Sequence, residues 1–163
     1  MSEDAEAISS IRVAAWQAAY GNFMPADFLK SLDPAKNIDQ LRTRLSNQSA
    51  EFFVKVCQRS NDVAAFSILG SPRYESNSRT VELWALNVLP VAWGNGFGRL
   101  LTQNAIECAR SADFKIIELW CIKGNTAAEA VYAKAGFKPT ALDRVSSELT
   151  GQPIHETNYA LHL

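Results

Sequence analysis

Three alternating glycines, Gly94, Gly96 and Gly98, stand between a predicted strand and a predicted helix, and no other feature restricts the fold of this chain as strongly. Residues 81–89 are rich in β-branched and apolar side chains, whereas residues 98–112 repeat apolar side chains at helical spacing. Glycine lets the backbone approach a ligand and turn successive N–H groups into one concavity. The helix that follows adds its unpaired N–H groups and the positive end of its dipole. The segment therefore predicts a loop that binds phosphate or pyrophosphate, in preference to a turn that needs glycine for its dihedral angles alone.

The spacing of this loop disagrees with the common nucleotide-binding motifs. A P-loop would need Lys-Ser or Lys-Thr after its last glycine, and no such pair follows here. A GxGxxG fingerprint that begins at Gly94 would need a glycine where Arg99 stands. Glu118 has the spacing of a ribose-binding acid relative to Gly98, but it falls in the middle of a predicted strand. These departures argue against a nucleoside triphosphate or dinucleotide site.

The rest of the chain alternates between helical and strand patterns without a repeat or a linker that would divide it. Helices are predicted over residues 8–20, 25–29, 33–47, 98–112 and 126–135. Strands are predicted over residues 52–58, 63–69, 81–89, 115–122, 137–145 and 154–163. The order predicts one α/β (α+β) domain over residues 1–163, with a sheet that contains at least one parallel crossover.

Composition excludes several classes of protein. The net charge is −1 and the pI is about 6.1, so no overall field would recruit nucleic acid or an anionic membrane. No stretch approaches the roughly 18 consecutive apolar residues of a membrane span, and the acidic start of the chain does not resemble a secretory signal. We expect no metal, because the cysteines and histidines lack the spacing of a zinc site: Cys57, Cys108, Cys121, His155 and His162. We expect a cytoplasmic protein with free thiols.

Two motifs resemble those of the GNAT superfamily of acetyltransferases. Residues 88–99 (VLPVAWGNGFGR) resemble its acetyl-CoA loop, usually written (Arg/Gln)-x-x-Gly-x-(Gly/Ala). Residues 125–137 (NTAAEAVYAKAGF) resemble the signature Asn-x-x-Ala-x-x-x-Tyr-x-x-x-Gly-Phe at the family's spacing, and residues 16–29 resemble the first helices of many members. The resemblance implies a mixed, mostly antiparallel central sheet with helices on both faces. It also implies an N-acetyltransferase that moves the acetyl group of acetyl-CoA directly onto an amine in a ternary complex.

The chain departs from the family pattern in two places. Trp93 stands where the family usually has Arg or Gln, so a side-chain contact to the pyrophosphate from that position is lost and backbone amides must suffice. Residues 1–7 leave little room for the family's first β-strand before the first helix, so we expect that strand to be short or missing.

Glu82 is the general base that the resemblance suggests, because some members carry a catalytic glutamate fourteen residues before the glycine that corresponds to Gly96. An amine with a pKa near ~10.4 is deprotonated in about one molecule in a thousand at pH 7, so a carboxylate must accept its proton directly or through water. Strand alternation would place Glu82 on one face with Trp84, Leu86 and Val88. Glu118 is the alternative base.

Tyr132 holds the family position that donates a proton to the leaving thiolate, and a core aromatic residue is the alternative interpretation. Asn125 corresponds to the family residue that contacts the pantetheine arm or the phosphates, with Ala128 one turn further along the same motif. Thr126 and Glu129 form a T-x-x-E pattern that predicts a capping box without Asn125.

The residues that the resemblance assigns to acetyl-CoA lie on the loop, on the strand before it or on the later helix: Leu86, Val88, Trp93, Gly94, Asn95, Gly96, Phe97, Gly98, Arg99, Asn125 and Ala128. Backbone groups at residues 86–88 would pair with pantetheine and hold the thioester carbonyl. Arg99 would reach a phosphate or remain a solvated helix charge.

The amine acceptor is not defined by the sequence, and a small molecule or a peptide amine fits equally well. A covalent acetyl-Cys121 is disfavoured, since this thiol lies in an apolar strand without a nearby histidine. Trp16, Tyr20 and Phe23 either line the acceptor pocket or pack between helices. Exchange of an edge strand at the C-terminus would allow a homodimer. The competing hypothesis is a non-catalytic module that binds acyl-CoA as a sensor or scaffold.

Overall fold

The computed structural model describes residues 2–47, 52–74, 76 and 79–163. The helices are α1 (Ala5–Ala19), α2 (Ala26–Lys30), α3 (Ile38–Ser46), α4 (Phe97–Ser111) and α5 (Thr126–Lys134). The strands are β1 (Phe53–Arg59), β2 (Asp62–Gly70), β3 (Thr80–Val88), β4 (Ile116–Ile122), β5 (Lys138–Ser146) and β6 (Ile154–His162). Every predicted element is present within a few residues, except that α3 begins at Ile38 because Asn37 has a left-handed φ of 63°.

The strands form one mixed sheet in the order β1-β2-β3-β4-β6-β5. The β3–β4 pair is parallel, and α4 crosses between these two strands, while every other neighbouring pair is antiparallel. This arrangement confirms the predicted fold class. In the part of the chain that the structure describes, a 3₁₀ turn at Ser2–Asp4 leads directly into α1, and no strand comes before it. The C-terminal strand β6 lies inside the sheet and β5 forms that edge, so exchange of an edge strand in this part of the chain would involve β5, and the homodimer stays a prediction.

Each face of the sheet has its own hydrophobic core. On one face, the apolar side of α4 (Ala105, Ile106 and Ala109) packs against buried residues of β3 and β4. On the other face, α1 and α3 pack against β1 and β2 in one buried cluster, which includes Ile8, Ile11, Leu45 and Phe66. The two helical layers therefore hold the sheet from both sides.

A β-bulge changes the direction of side chains halfway along β3. Leu69 of β2 pairs with Leu83, but the preceding residue, Ile68, pairs with Ala85, so Trp84 is an extra residue. As a result, Leu83 and Leu86 both pack with the core beneath α4, whereas Trp84 packs with the core beneath α1. The prediction that Glu82, Trp84 and Leu86 share one face, with Val88 beyond them, is wrong because strict alternation stops at this bulge.

Candidate active site

The two parallel strands separate, and this separation creates the main cleft. β3 and β4 pair only from Thr80 to Glu82, opposite Ile116 to Glu118. Beyond these residues the β4-facing edge of β3 pairs with no strand among the described residues. A cleft of about 1270 Å³ is lined there by residues 86–88 and by the C-terminal end of α1, and it continues between α4 and α5. The cleft thus joins an open strand edge to two helices.

The glycine loop presents a run of unpaired backbone donors to this cleft. Gly94 and Gly96 have left-handed φ values of 77° and 82°, which only glycine adopts without a steric penalty. The backbone N–H groups of residues 94–99 donate to no acceptor among the residues that the structure describes. A Cβ atom at Gly94 or Gly96 would meet no atom within 4 Å, so the space above the loop is open. Successive free amides at a helix N-terminus form an anion site.

Side chains of the loop fix its shape and leave its amides free. The Asn95 side-chain amide donates to the backbone oxygens of Ala92 and Trp93 over 3.2 and 3.1 Å. Asn95 is not on the cleft wall, so only its backbone N–H group can serve a ligand there. Trp93 donates its indole N–H to the backbone oxygen of Val88 over 2.8 Å, which pins the loop to the end of β3.

Most of the predicted cofactor residues meet on the wall of this cleft. The lining includes Leu86, Val88, Trp93, Gly94, Gly96, Phe97, Gly98, Arg99, Asn125 and Ala128, together with the predicted acid Tyr132. The sequence reading missed a row of α4 residues on the same wall, Gln103, Glu107 and Arg110. Their spacing from Arg99 is helical, so a search along that face of α4 would have found them. It also missed the small residues of α1 that line the wall, Ala15, Ala18 and Ala19.

Tyr132 and Tyr20 face the cleft in a weakly polar setting. Burial raises the pKa of Tyr132 above its ordinary value, and the nearby Cys121 and Tyr20 act in the same direction. Burial likewise raises the pKa of Tyr20 to about 12, helped by Cys121 and Glu156. Both phenols therefore keep their protons at neutral pH, and either can donate a hydrogen bond into the cleft.

Cys121 belongs to the same group of side chains but has no acidic character. It is buried in β4, and burial raises the pKa of its thiol to about 12 with help from Glu129 and Glu156. A thiolate at this position is strongly disfavoured. The prediction against a covalent acetyl-cysteine stays a prediction, and the burial of this thiol is its physical reason.

Asn125 caps the N-terminus of α5, whereas the sequence pattern predicts that Thr126 and Glu129 would do so. Its side-chain oxygen accepts the backbone N–H of Ala128 over 3.3 Å, while Glu129 accepts the N–H of Gly124 over 3.1 Å. The predicted Thr126–Glu129 capping box is therefore wrong. Asn125 still lines the cleft, and its side-chain NH₂ group has no partner among the described residues.

Glu82 lies outside the cleft wall and is fully buried. Its carboxylate accepts the backbone N–H of Arg73 over 2.9 Å and Nε of the same arginine over 2.9 Å, and it is also bonded to the arginine Nη2. Glu118 is its neighbour in the last parallel pair of the sheet and accepts the hydroxyl of Ser76 over 3.2 Å. Burial raises the pKa of Tyr74, which is also hydrogen-bonded to Glu118. The catalytic role of Glu82 stays a prediction.

Neither a metal cluster nor a membrane helix is found in the described part of the chain. Its His, Cys, Asp and Glu residues form no group of three or more that could hold a metal ion. None of its helices combines the length and the apolar character that a bilayer crossing requires.

Comparison with known proteins finds acetyltransferases that are similar to this chain in sequence or in fold. The mycothiol acetyltransferase of Jonesia denitrificans is 35% identical over 82 residues, which is 50% of this chain and 26% of that protein, so the chain spans about a quarter of this relative. The structure of the ribosomal-protein-alanine N-acetyltransferase of Brucella melitensis has a TM-score of 0.76 at 22% identity, with 100% of this chain and 96% of that chain covered. The PaiA N-acetyltransferase of Thermoplasma acidophilum in complex with coenzyme A has a TM-score of 0.75 at 16% identity, covering 99% and 94%.

The family model described as "Acetyltransferase (GNAT) family" matches residues 10–137. This span begins inside α1 and includes the glycine loop, the β3–β4 opening and the Asn125 motif. The chain therefore belongs to the GNAT family of acetyltransferases.

Proposed function

We propose that this protein is an N-acetyltransferase that transfers an acetyl group from acetyl-CoA directly to an amine of a small molecule or a peptide. The observation that carries the proposal is the run of free backbone N–H groups at residues 94–99, which opens into the cleft between β3 and β4. A diphosphate fits such donors because it offers several anionic acceptors at once. The Thermoplasma relative of the same fold holds coenzyme A, which supports this choice of ligand.

When bound, acetyl-CoA supplies the thioester that the amine attacks. The free edge of β3 at Leu86 and Val88 would pair with the pantetheine amides and orient the thioester carbonyl. Arg99 and the free NH₂ group of Asn125 line the same cleft and would hold the phosphates and the pantetheine arm. Trp93 contributes indirectly, because its bond to Val88 keeps the loop and the strand edge together.

Glu82 would accept the proton of the attacking amine through one water molecule, since the carboxylate itself lies off the cleft wall. Glu118 beside it is the alternative base. Tyr132 would return a proton to the sulfur as the thiolate leaves. A phenol whose pKa is raised by burial stays protonated at working pH, and a neutral donor is the form that this step requires.

Two measurements test the proposal. Titration with acetyl-CoA should stabilise the folded chain by about 2.7 kcal/mol when the ligand reaches 100 times its Kd. A panel of primary amines, assayed for release of free CoA, should then identify acceptors. A chain that does not bind acetyl-CoA would refute the proposal.

The competing function is a sensor or scaffold that binds acyl-CoA without catalysis. The burial of Glu82 beneath Arg73 is the observation that favours it. It predicts the same stabilisation by acetyl-CoA, but no release of free CoA with any amine in the panel.

A further inference from the structure

The carboxylate of Glu82 is held almost entirely by one residue. Oε1 accepts hydrogen bonds from both Nε and Nη2 of Arg73, and Oε2 accepts one from the backbone N–H of the same residue. An ionised carboxylate offers about four acceptor positions, so three are filled. One position, on Oε2, is left unfilled by the described residues.

Arg73 reaches this position from the segment between β2 and β3. Its side chain is 50% exposed, while Glu82 is 0% exposed, so the guanidinium lies between this carboxylate and bulk solvent. Its guanidinium carbon also lies 5.9 Å from the ring centroid of Trp84, the bulged residue that follows on the same strand. A planar fork with two parallel donors fixes the orientation of a carboxylate, which a single ammonium does not.

We infer that Arg73 is a positioning residue for the acetyl transfer: it orients Glu82 so that the remaining acceptor position of Oε2 receives the proton of the acceptor amine. The inference rests on the proposed function, because it needs Glu82 as the base. It adds a residue of the β2–β3 segment to the machinery, although that residue touches neither the glycine loop nor the cleft wall. The amine nitrogen loses a proton, the proton passes through water to Oε2, and the carboxylate becomes neutral beside the guanidinium.

The experiment compares Arg73→Ala and Arg73→Lys with Glu82→Gln. We expect Arg73→Ala to lower kcat by about tenfold or more, since a correctly placed general base contributes roughly a hundredfold or more. The KM for acetyl-CoA should stay within about twofold, because the binding interactions of the cleft are unchanged. Arg73→Lys should lose less, since it keeps the charge but not the fork. Millimolar guanidinium chloride should restore part of kcat to Arg73→Ala and none to Glu82→Gln.

Arg79→Ala is the matched control, because Arg79 ends the same segment and pairs with the exposed Asp113. Its kcat should be unchanged and insensitive to guanidinium, which separates positioning of Glu82 from general order in the segment. Melting temperatures of all variants report folding, and Arg73→Lys keeps the test valid should Arg73→Ala fold poorly.

Several outcomes would overturn the inference. An unchanged or increased kcat in Arg73→Ala would do so, and so would a loss that guanidinium does not restore. Full turnover in Glu82→Gln would show that Glu82 is not the base and that Arg73 has no positioning role, but it would not contradict the proposed acetyl-CoA site. Acetyl-CoA binding without CoA release by the unmodified chain would instead show that the proposed function has failed.

Discussion

Single residues in this cleft differ in how directly they can act on a substrate. Tyr132 lines the cleft itself, next to Cys121 and Tyr20. Glu82 lies behind the wall and is held by Arg73. The resemblance to the family nevertheless predicts a catalytic role for both Tyr132 and Glu82. Proton donation by Tyr132 would therefore need no rearrangement, while proton uptake by Glu82 would require water between the carboxylate and the amine.

Replacing Tyr132 with phenylalanine should lower kcat and leave the binding of acetyl-CoA unchanged. The ring remains to pack against Phe137, 6.0 Å away between centroids, so folding should be preserved. We expect kcat to fall by about ten- to a hundredfold, less than for a required proton transfer, because a thiolate with a pKa near ~8.5 also leaves unprotonated. Free CoA release measures kcat, and calorimetry measures binding.

Tyr159→Phe is the control, since this tyrosine is not on the cleft wall and should keep full turnover. Equal kcat values for Tyr132→Phe and the unmodified chain would contradict the role of Tyr132 as proton donor to the thiolate.

At the scale of elements, the loop before α4 depends on backbone conformation. Gly96 is the residue that precedes α4, with a φ of 82°, and Gly94 has a φ of 77°. Open space surrounds both glycines, so a methyl group there would create no clash. A substitution would act through the dihedral angle alone.

Gly96→Ala should therefore weaken acetyl-CoA binding by about tenfold or more. A left-handed alanine costs roughly 1–2 kcal/mol, and relaxation of the loop to avoid this cost would turn the free amides away from a common point. Calorimetric titration with acetyl-CoA measures the change in Kd. Gly21→Ala is the control, because Gly21 also lies in open space but has no left-handed φ. Equal Kd values for the two variants would contradict the amide site.

The N-terminus of α5 offers a test that separates capping from ligand binding. Asn125 caps the helix through its side-chain oxygen, which aspartate can replace, while only asparagine also has an NH₂ group for the ligand. Asn125→Ala should lower the free energy of unfolding by about 1 kcal/mol, whereas Asn125→Asp should not. Both variants should bind acetyl-CoA more weakly than the unmodified chain. Urea unfolding and calorimetry give the two quantities, and unchanged binding by Asn125→Asp would show that capping is its whole role.

Local patterns were sufficient to predict the elements, the glycine loop and most of the cleft wall. Helical and strand periodicities, together with the glycine spacing, depend on neighbours in sequence. The errors concern choices between competing partners. The bulge at Trp84 follows from pairing with β2, and the cap of α5 was a choice between adjacent side chains, Asn125 and Thr126. The bond between Arg73 and Glu82 joins the segment between β2 and β3 to β3, so no periodicity within a strand or helix indicates it.

At the scale of the whole molecule, the cleft exists because one parallel pair lies in an otherwise antiparallel sheet. α4 and the crossover bring β4 beside β3 for only three residues, and the β6 partner of β4 continues the sheet on the far side. The two strands can separate without loss of the fold, because separate cores lie above and below the sheet. Tyr20 of the α1 region and Tyr132 of α5 both line this space, and Cys121 of β4 lies close enough to help raise the pKa of each.

This shared space makes the stability of the folded chain depend on pH in the alkaline range. The pKa of Tyr20 rises from 10.0 to about 12 on folding, mainly through burial. A raised pKa means that the folded state resists ionisation, so this contribution is complete below pH 10 and is lost as the pH rises from about 10 to 12. For Tyr20 the loss between pH 9 and pH 11 should be about 1.4 kcal/mol.

Urea unfolding of the unmodified chain and of Tyr20→Phe at pH 7, 9 and 11 tests this prediction. The difference in their free energies of unfolding should be constant from pH 7 to pH 9, because neither state of Tyr20 ionises there. It should then shift by about 1.4 kcal/mol in favour of the variant at pH 11. Burial, the main cause of the raised pKa of Cys121 and of Tyr132, is present in both proteins, so most of their contribution cancels in the difference. A constant difference up to pH 11 would mean that water reaches the Tyr20 hydroxyl freely, and that the cleft beside it is more open than the structure indicates.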